Sequence, residues 1–173
     1  RDTLILKSGL RYFDWTASGL GASCVESRMQ SLLPFYANTH SQSNANAELM
    51  SAIYENARAR LKEIFGLDSK FALISCGFGA TGAIKKFQEL LGIYIPPKTK
   101  SLLNLQNIDK SALPLVLISP FEHHSNELSF REGLCEVVRI ALNADGLLDL
   151  EMLKEVLAQN NGRKIIASFT LGS

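Results

Sequence analysis

Two rhythms of apolar and polar positions run along this chain. In the first, Leu49, Met50, Ile53, Tyr54, Ala57, Leu61, Ile64 and Phe65 recur three and four residues apart, the spacing of one helical face. Asn46 is placed to cap the start of that helix and Gly66 to close its end. A shorter helical pattern covers residues 26–36 and is disturbed near its end by Pro34. Another follows the glycine turn at residues 76–82, carries Ala83, Ile84, Phe87, Leu90, Leu91 and Tyr94, and stops at Pro96-Pro97.

The second rhythm is an unbroken apolar run. Leu115-Val116-Leu117-Ile118 is apolar at every position, the mark of a strand covered on both faces. Residues 71–75, 136–140 and 164–169 read as further strands, Asp145-Gly146 as a turn, and residues 149–158 as a helix. Strands alternating with helices predict an α/β domain with a mainly parallel sheet. Residues 1–20 read as an irregular amino-terminal arm and residues 21–173 as the first part of a larger domain. The sequence ends directly after its last strand-like run, so the expectation is an amino-terminal fragment of a longer protein.

Composition narrows the class. Apolar residues make up 46% of the chain and charged residues 20%, the balance of a globular protein rather than a disordered one. A formal charge of +1 offers no basic stripe for nucleic acid. No apolar run approaches the ~20 residues of a membrane span, and the start is too short and too soon interrupted for a signal peptide. Three widely spaced cysteines, Cys24, Cys76 and Cys135, suit a reduced, cytoplasmic protein with thiols used as small core residues.

Three segments carry candidate chemistry. Gly77-Phe78-Gly79-Ala80-Thr81-Gly82 lies between a predicted strand and a helix, where free N–H groups and the helix dipole favour an anion. A phosphate site is the functional reading, with a packing turn as its alternative. The same residues spell GxGxxG, but the dinucleotide fingerprint follows a first strand and is answered by an acidic residue about 20 positions later. Here an arm and two helices come first, the region near Leu102-Leu103-Asn104 offers no acidic strand end, and the next acid beyond it is Asp109. Glu122-His123-His124-Ser125-Asn126 stands at the carboxyl end of the buried strand, where open α/β sheets place ligands. An imidazole there can stack on an aromatic cofactor or move protons. The alternative is a helix start capped by Ser125 or Asn126. The third segment is the polar loop Asn38-Thr39-His40-Ser41. Zinc is not expected: HExxH spacing and CxxC pairs are both missing. A serine hydrolase is not expected either, for want of a GxSxG elbow.

Taken in order, these segments resemble the class V aminotransferase family, above all its cysteine desulfurase and selenocysteine lyase branch. The family's Tyr-x-Asp-x-Ala-Ala/Ser arm is similar to Tyr12-Phe13-Asp14-Trp15-Thr16-Ala17-Ser18. Its Tyr-x-Asn-x-His loop is similar to Tyr36-Ala37-Asn38-Thr39-His40, and its Arg-containing helix to Tyr54-Glu55-Asn56-Ala57-Arg58. Its phosphate turn resembles Gly79-Ala80-Thr81-Gly82-Ala83-Ile84, and its Glu-His-His-Ser/Ala-Asn corner residues 122–126. An Asp-x-Gly-x-Leu-x-Leu segment is met at residues 143–150.

The resemblance implies the large domain of a type I pyridoxal 5'-phosphate (PLP) fold and an enzyme acting on an amino acid. Cysteine desulfuration leads, with a sulfur-acceptor protein as partner in that case; a transaminase or another PLP lyase is the close rival. It implies that Gly79, Ala80 and Thr81 hold the cofactor phosphate, that His123 stacks on the pyridine ring and assists proton transfer, and that Ala17 and His40 stand near the substrate. It also implies a homodimer of the full-length protein. The lysine that carries the cofactor, the aspartate for its ring nitrogen and the desulfurase cysteine have no counterparts at matching positions, so the fragment is expected to be inactive alone. Gly82, Lys85 and the residues after Asn126 depart from the family pattern. A non-catalytic α/β module binding a phosphate-bearing ligand is the reading from another class.

Overall fold

The unbroken apolar run is the middle of the sheet. In the computed structural model, which describes residues 3–39 and 41–170, β1 (Leu115–Ile118) pairs with β2 (Glu136–Arg139) on one side and β3 (Ile165–Ser168) on the other. All three are parallel, with Val116 opposite Val137 and Ile166. A middle strand between helical layers must be apolar on both faces, and every residue of β1 is no more than 1% exposed. Val116 and Ile118 pack with Ile93, Phe130 and Cys135. Leu115 and Leu117 face the opposite way, onto Ile140, with Met152, Leu153 and Val156 packed against them. Full burial of each such side chain is worth about 1.5–3 kcal/mol.

This sheet belongs to the second of two units into which the chain divides, Arg1–Ile74 and Ser75–Ser173. Its remaining helices are α3 (Gly79–Leu90), α4 (Pro97–Leu102), α5 (His124–Glu132) and α6 (Leu150–Gln159). Asp149 starts α6 by accepting from the N–H groups of Glu151 and Met152, both at 3.0 Å. The Asp145-Gly146 turn forms, with Gly146 at φ +75° and the Asn143 side chain accepting from Asp145 and Leu147. The proline pair does not end the preceding helix. Helix α3 stops at Leu90 and Gly92 turns left-handed at φ +71°, while Pro97 opens α4, where its missing N–H costs nothing.

In the first unit α1 (Ser23–Leu32) runs into a 3-10 turn at Leu33–Phe35 that contains Pro34. Helix α2 (Ala45–Ile64) is capped by Asn44, whose side chain accepts from Ala47 N–H at 2.9 Å; Asn46 lies inside the helix. Gly66 closes it at φ +64°. The arm is a loop tied at its base by an antiparallel bridge between Leu4 and Ala22, with Ile5 N–H on Gly21 O at 2.8 Å. Inside it Tyr12 donates to Ser18 O at 2.7 Å and meets Trp15 edge-on, ring centroids 5.3 Å apart.

Two further expectations are corrected. Residues 71–75 form no strand: the Leu73 carbonyl accepts from Arg58 Nη2 at 2.9 Å instead of a neighbouring strand, and Phe71 and Ile74 are exposed. An apolar run becomes a strand only when a sheet edge receives it. Of the cysteines, only Cys135 is a core thiol. Burial pushes it up to about 11, against a weaker opposing pull from Lys100, and its Sγ donates to Phe130 O at 3.1 Å. Cys24, on a helix with no buried residue, and Cys76, in a loop, are exposed.

Candidate functional site

The carboxyl end of β1 runs through Ser119 and Pro120 to Glu122, and α5 begins two residues later. Glu122 is held on every side. Its Oε1 accepts from Ser119 Oγ at 2.5 Å and Thr170 N–H at 2.9 Å. Its Oε2 accepts from Asn126 Nδ2 at 2.6 Å and Thr170 Oγ1 at 2.7 Å. Burial alone would raise this carboxyl. The hydrogen bonds from Ser119, from the Thr170 backbone and hydroxyl, and from Asn126 outweigh it and hold the group below its ordinary value.

His123 caps α5. Its Nδ1 accepts from Ser125 N–H at 3.2 Å and lies 2.9 Å from Ser125 Oγ. Neither Ser125 nor Asn126 is the cap, because both already lie within the helix. A nitrogen that accepts carries no proton, so the neutral ring with its proton on Nε2 is the form that fits this cap. The cap uses an in-plane lone pair and leaves the faces of the exposed imidazole free. The ring of His124 stands 5.9 Å away, tilted by 55°.

Helix α3 starts without any side-chain cap and without an acid in its first turn. Phe78, at its N-cap position, is left-handed at φ +65° and 97% exposed. Gly79 is also left-handed, at φ +62°. Gly82 has no room for a side chain: a Cβ there would stand 1.9 Å from Gly77 O. That close approach of the Gly77 carbonyl requires glycine at this position. Among the described residues no strand precedes the turn, so GxGxxG lacks the strand-turn-helix setting of a dinucleotide fingerprint.

The two motifs meet. Thr81 and Lys85 from α3, Tyr94, and His124, Ser125, Leu128 and Ser129 from α5 line one cleft of about 340 Å³. Lys85 Nζ stands 4.8 Å from the centre of the Tyr94 ring. Beneath the cleft, buried Gln88 donates to Ser129 Oγ at 2.8 Å and so ties α3 to α5. It is His124, not His123, that lines the cleft wall with Thr81, while His123 occupies the cap beside it.

Of the substrate-side residues, Ala17 is exposed in the turn of the arm, and His40 lies outside the described residues. Among the described residues no group of three potential metal ligands is present, and no helix is long and apolar enough to cross a membrane. Sequence reasoning missed the cradle of Glu122. Ser119 and Asn126, three before and four after it, carry a local signal; Thr170 and Ser168 carry none. No protein-family model and no curated protein matches this chain.

Proposed function

We propose that this chain is the amino-terminal part of a PLP-dependent enzyme acting on an amino acid, of the class V aminotransferase type and most similar to the cysteine desulfurases. The observation that carries the reading is the meeting of the two motifs. Thr81, in the first turn of α3, and His124-Ser125, in the first turn of α5, share a cleft although more than 40 residues separate them. Its size falls in the range of small-ligand sites.

The residues present fit the phosphate and ring of such a cofactor. The uncapped N–H groups of Gly79, Ala80 and Thr81 and the Thr81 hydroxyl supply donors at the positive end of a helix dipole, and no acid in that turn opposes an anion. Lys85 adds a cation on the same cleft. His123, in its cap beside that cleft rather than on its wall, offers a flat face for a pyridine ring and an Nε2–H that can donate a hydrogen bond. When bound, PLP supplies an electron sink for charge developing beside an amino nitrogen. The chain's own part is to hold the phosphate, orient the ring and keep one imidazole in a fixed tautomer. The reading also requires a lysine to carry the cofactor and a carboxylate for its ring nitrogen, and no residue of this chain stands at a matching position. Transamination and other PLP lyase chemistry remain rivals to desulfuration, because these residues serve all three. A homodimer and, for a desulfurase, a sulfur-acceptor protein belong to the same proposal.

Titration with PLP tests it. Saturable uptake is expected, competed by inorganic phosphate and weakened by T81A and H123A. Borohydride treatment is expected to label no single lysine stoichiometrically. Uptake indifferent to both substitutions would sink the reading. Phosphate binding without any preference for PLP over simple phosphates would favour a non-catalytic module.

A further inference from the structure

Glu122 joins three separate pieces of the carboxyl edge of the sheet. Its four donors come from the exit of β1 (Ser119), the first turn of α5 (Asn126) and the chain leaving β3 (Thr170, twice). Asn126, itself 7% exposed, extends the tie: its Nδ2 also reaches Ser168 O at 3.3 Å, and its Oδ1 accepts from Ser168 Oγ at 2.8 Å. Every donor to Glu122 is neutral, and among the described residues no cation pairs with it. Only an ionised carboxylate, an acceptor at both oxygens, satisfies four donors at once. A glutamine in its place would turn an NH2 group toward two of them.

The geometry points to Glu122 as a positioning residue, whose carboxylate latches the chain leaving β3 to the head of α5 and thereby sets where His123 and His124 stand. The inference rests on the reading of those histidines as part of a ligand site. His123 follows Glu122 directly, its carbonyl accepts from the N–H groups of Asn126 and Glu127, and its ring caps Ser125. The histidines therefore ride on a turn whose two ends, Glu122 and Asn126, are both fastened to residues 168–170. Without the carboxylate, only the Asn126–Ser168 bonds would hold that turn against the chain at β3. Bonds to a charged acceptor are stronger than those between neutral groups, and four of them converge on this one carboxylate.

The test uses E122Q, T170V and the double variant of the whole chain, with PLP as the probe ligand. In E122Q the Thr170 amide is expected to exchange about tenfold to a hundredfold faster, as for one lost bond to a charged acceptor. T170V, which loses only the hydroxyl bond, should have a smaller effect, and the double variant should be no worse than E122Q alone because both cut the same tie. The ring resonances of His123 and His124 should move in E122Q, and PLP affinity should fall several-fold in the folded protein. Additive effects of the two substitutions, or an unchanged Thr170 exchange rate in E122Q, would overturn the latch. A loosened Thr170 with unmoved histidine resonances would overturn the positioning role and leave a structural one. Should the unsubstituted chain take up no PLP, the ligand reading fails, while exchange and resonances still decide the latch.

Discussion

Both units carry helices with apolar faces, and they treat them differently. In the second unit the faces meet a sheet: α5 brings Phe130 to 1% exposure, and α6 sets Met152, Leu153 and Val156 against Leu115 and Leu117. In the first unit the apolar residues of α2 also recur at helical spacing, yet Leu49, Leu61 and Ile64 are 43, 44 and 62% exposed. Only Ala47 among its described residues is buried. Periodicity is enough to make a helix and name the face that wants covering. It does not supply the cover. In the second unit the cover is a strand that is apolar at four consecutive positions, whereas among the described residues of the first unit no strand forms.

The comparison breaks most readily at the core. Phe130→Ala should cost about 3–5 kcal/mol, since it empties a buried aromatic site. Leu61→Ala, on a half-exposed face, should cost less than about 1 kcal/mol. Denaturant unfolding of the two variants measures both, and equal losses would mean that the faces of α2 are covered after all. A smaller contrast is available in the glycines. Gly82→Ala should cost about 1–3 kcal/mol, because its Cβ would collide with Gly77 O. Gly66→Ala meets open space and should cost about 1 kcal/mol, from its left-handed backbone alone. Reversal of that order would show that the turn before α3 can rearrange.

The smallest effect expected is that of acid. Glu122 is held below the ordinary carboxyl value despite its burial, by the donors that surround it, and Asp109 is also lowered, chiefly by the Ser111 hydroxyl and N–H. A lowered folded value means that the stabilisation is complete above the unfolded carboxyl value and fades as pH falls through it toward the folded one. Both residues lie in the second unit, so helix and sheet signals there should weaken with acid. E122Q should flatten that acid limb. A limb unchanged in E122Q would assign it to other groups.

Much of the second unit was legible because its signals are local. Four consecutive apolar residues announced β1, an Asp-Gly pair announced its turn, and Asp149 announced the start of α6. The glycine turn and the histidine corner could be marked from residue types alone, and the structure lines one cleft with residues that follow from both. What stayed hidden depends on partners far away in sequence. Residues 71–75 look like a strand until one asks which edge would receive them, and the answer is an arginine side chain. Phe78 gives no sign that it turns left-handed. His123 was read as a ring facing a ligand, yet it also caps α5, with a ring nitrogen standing where a serine or aspartate oxygen normally would. The cradle of Glu122 reaches 48 residues ahead, beyond any local rule.

The arm has an optical consequence. Trp15 is the chain's only tryptophan, half-exposed and edge-on to Tyr12 within the loop closed by Leu4 and Ala22. Red-edge excitation therefore watches the arm and nothing of the sheet, whose loss is seen instead in far-ultraviolet dichroism. Tryptophan emission thus follows the first unit alone, whereas dichroism sums the helices of both, α2 included, and a single melt recorded in both shows whether the two units come apart together or in turn.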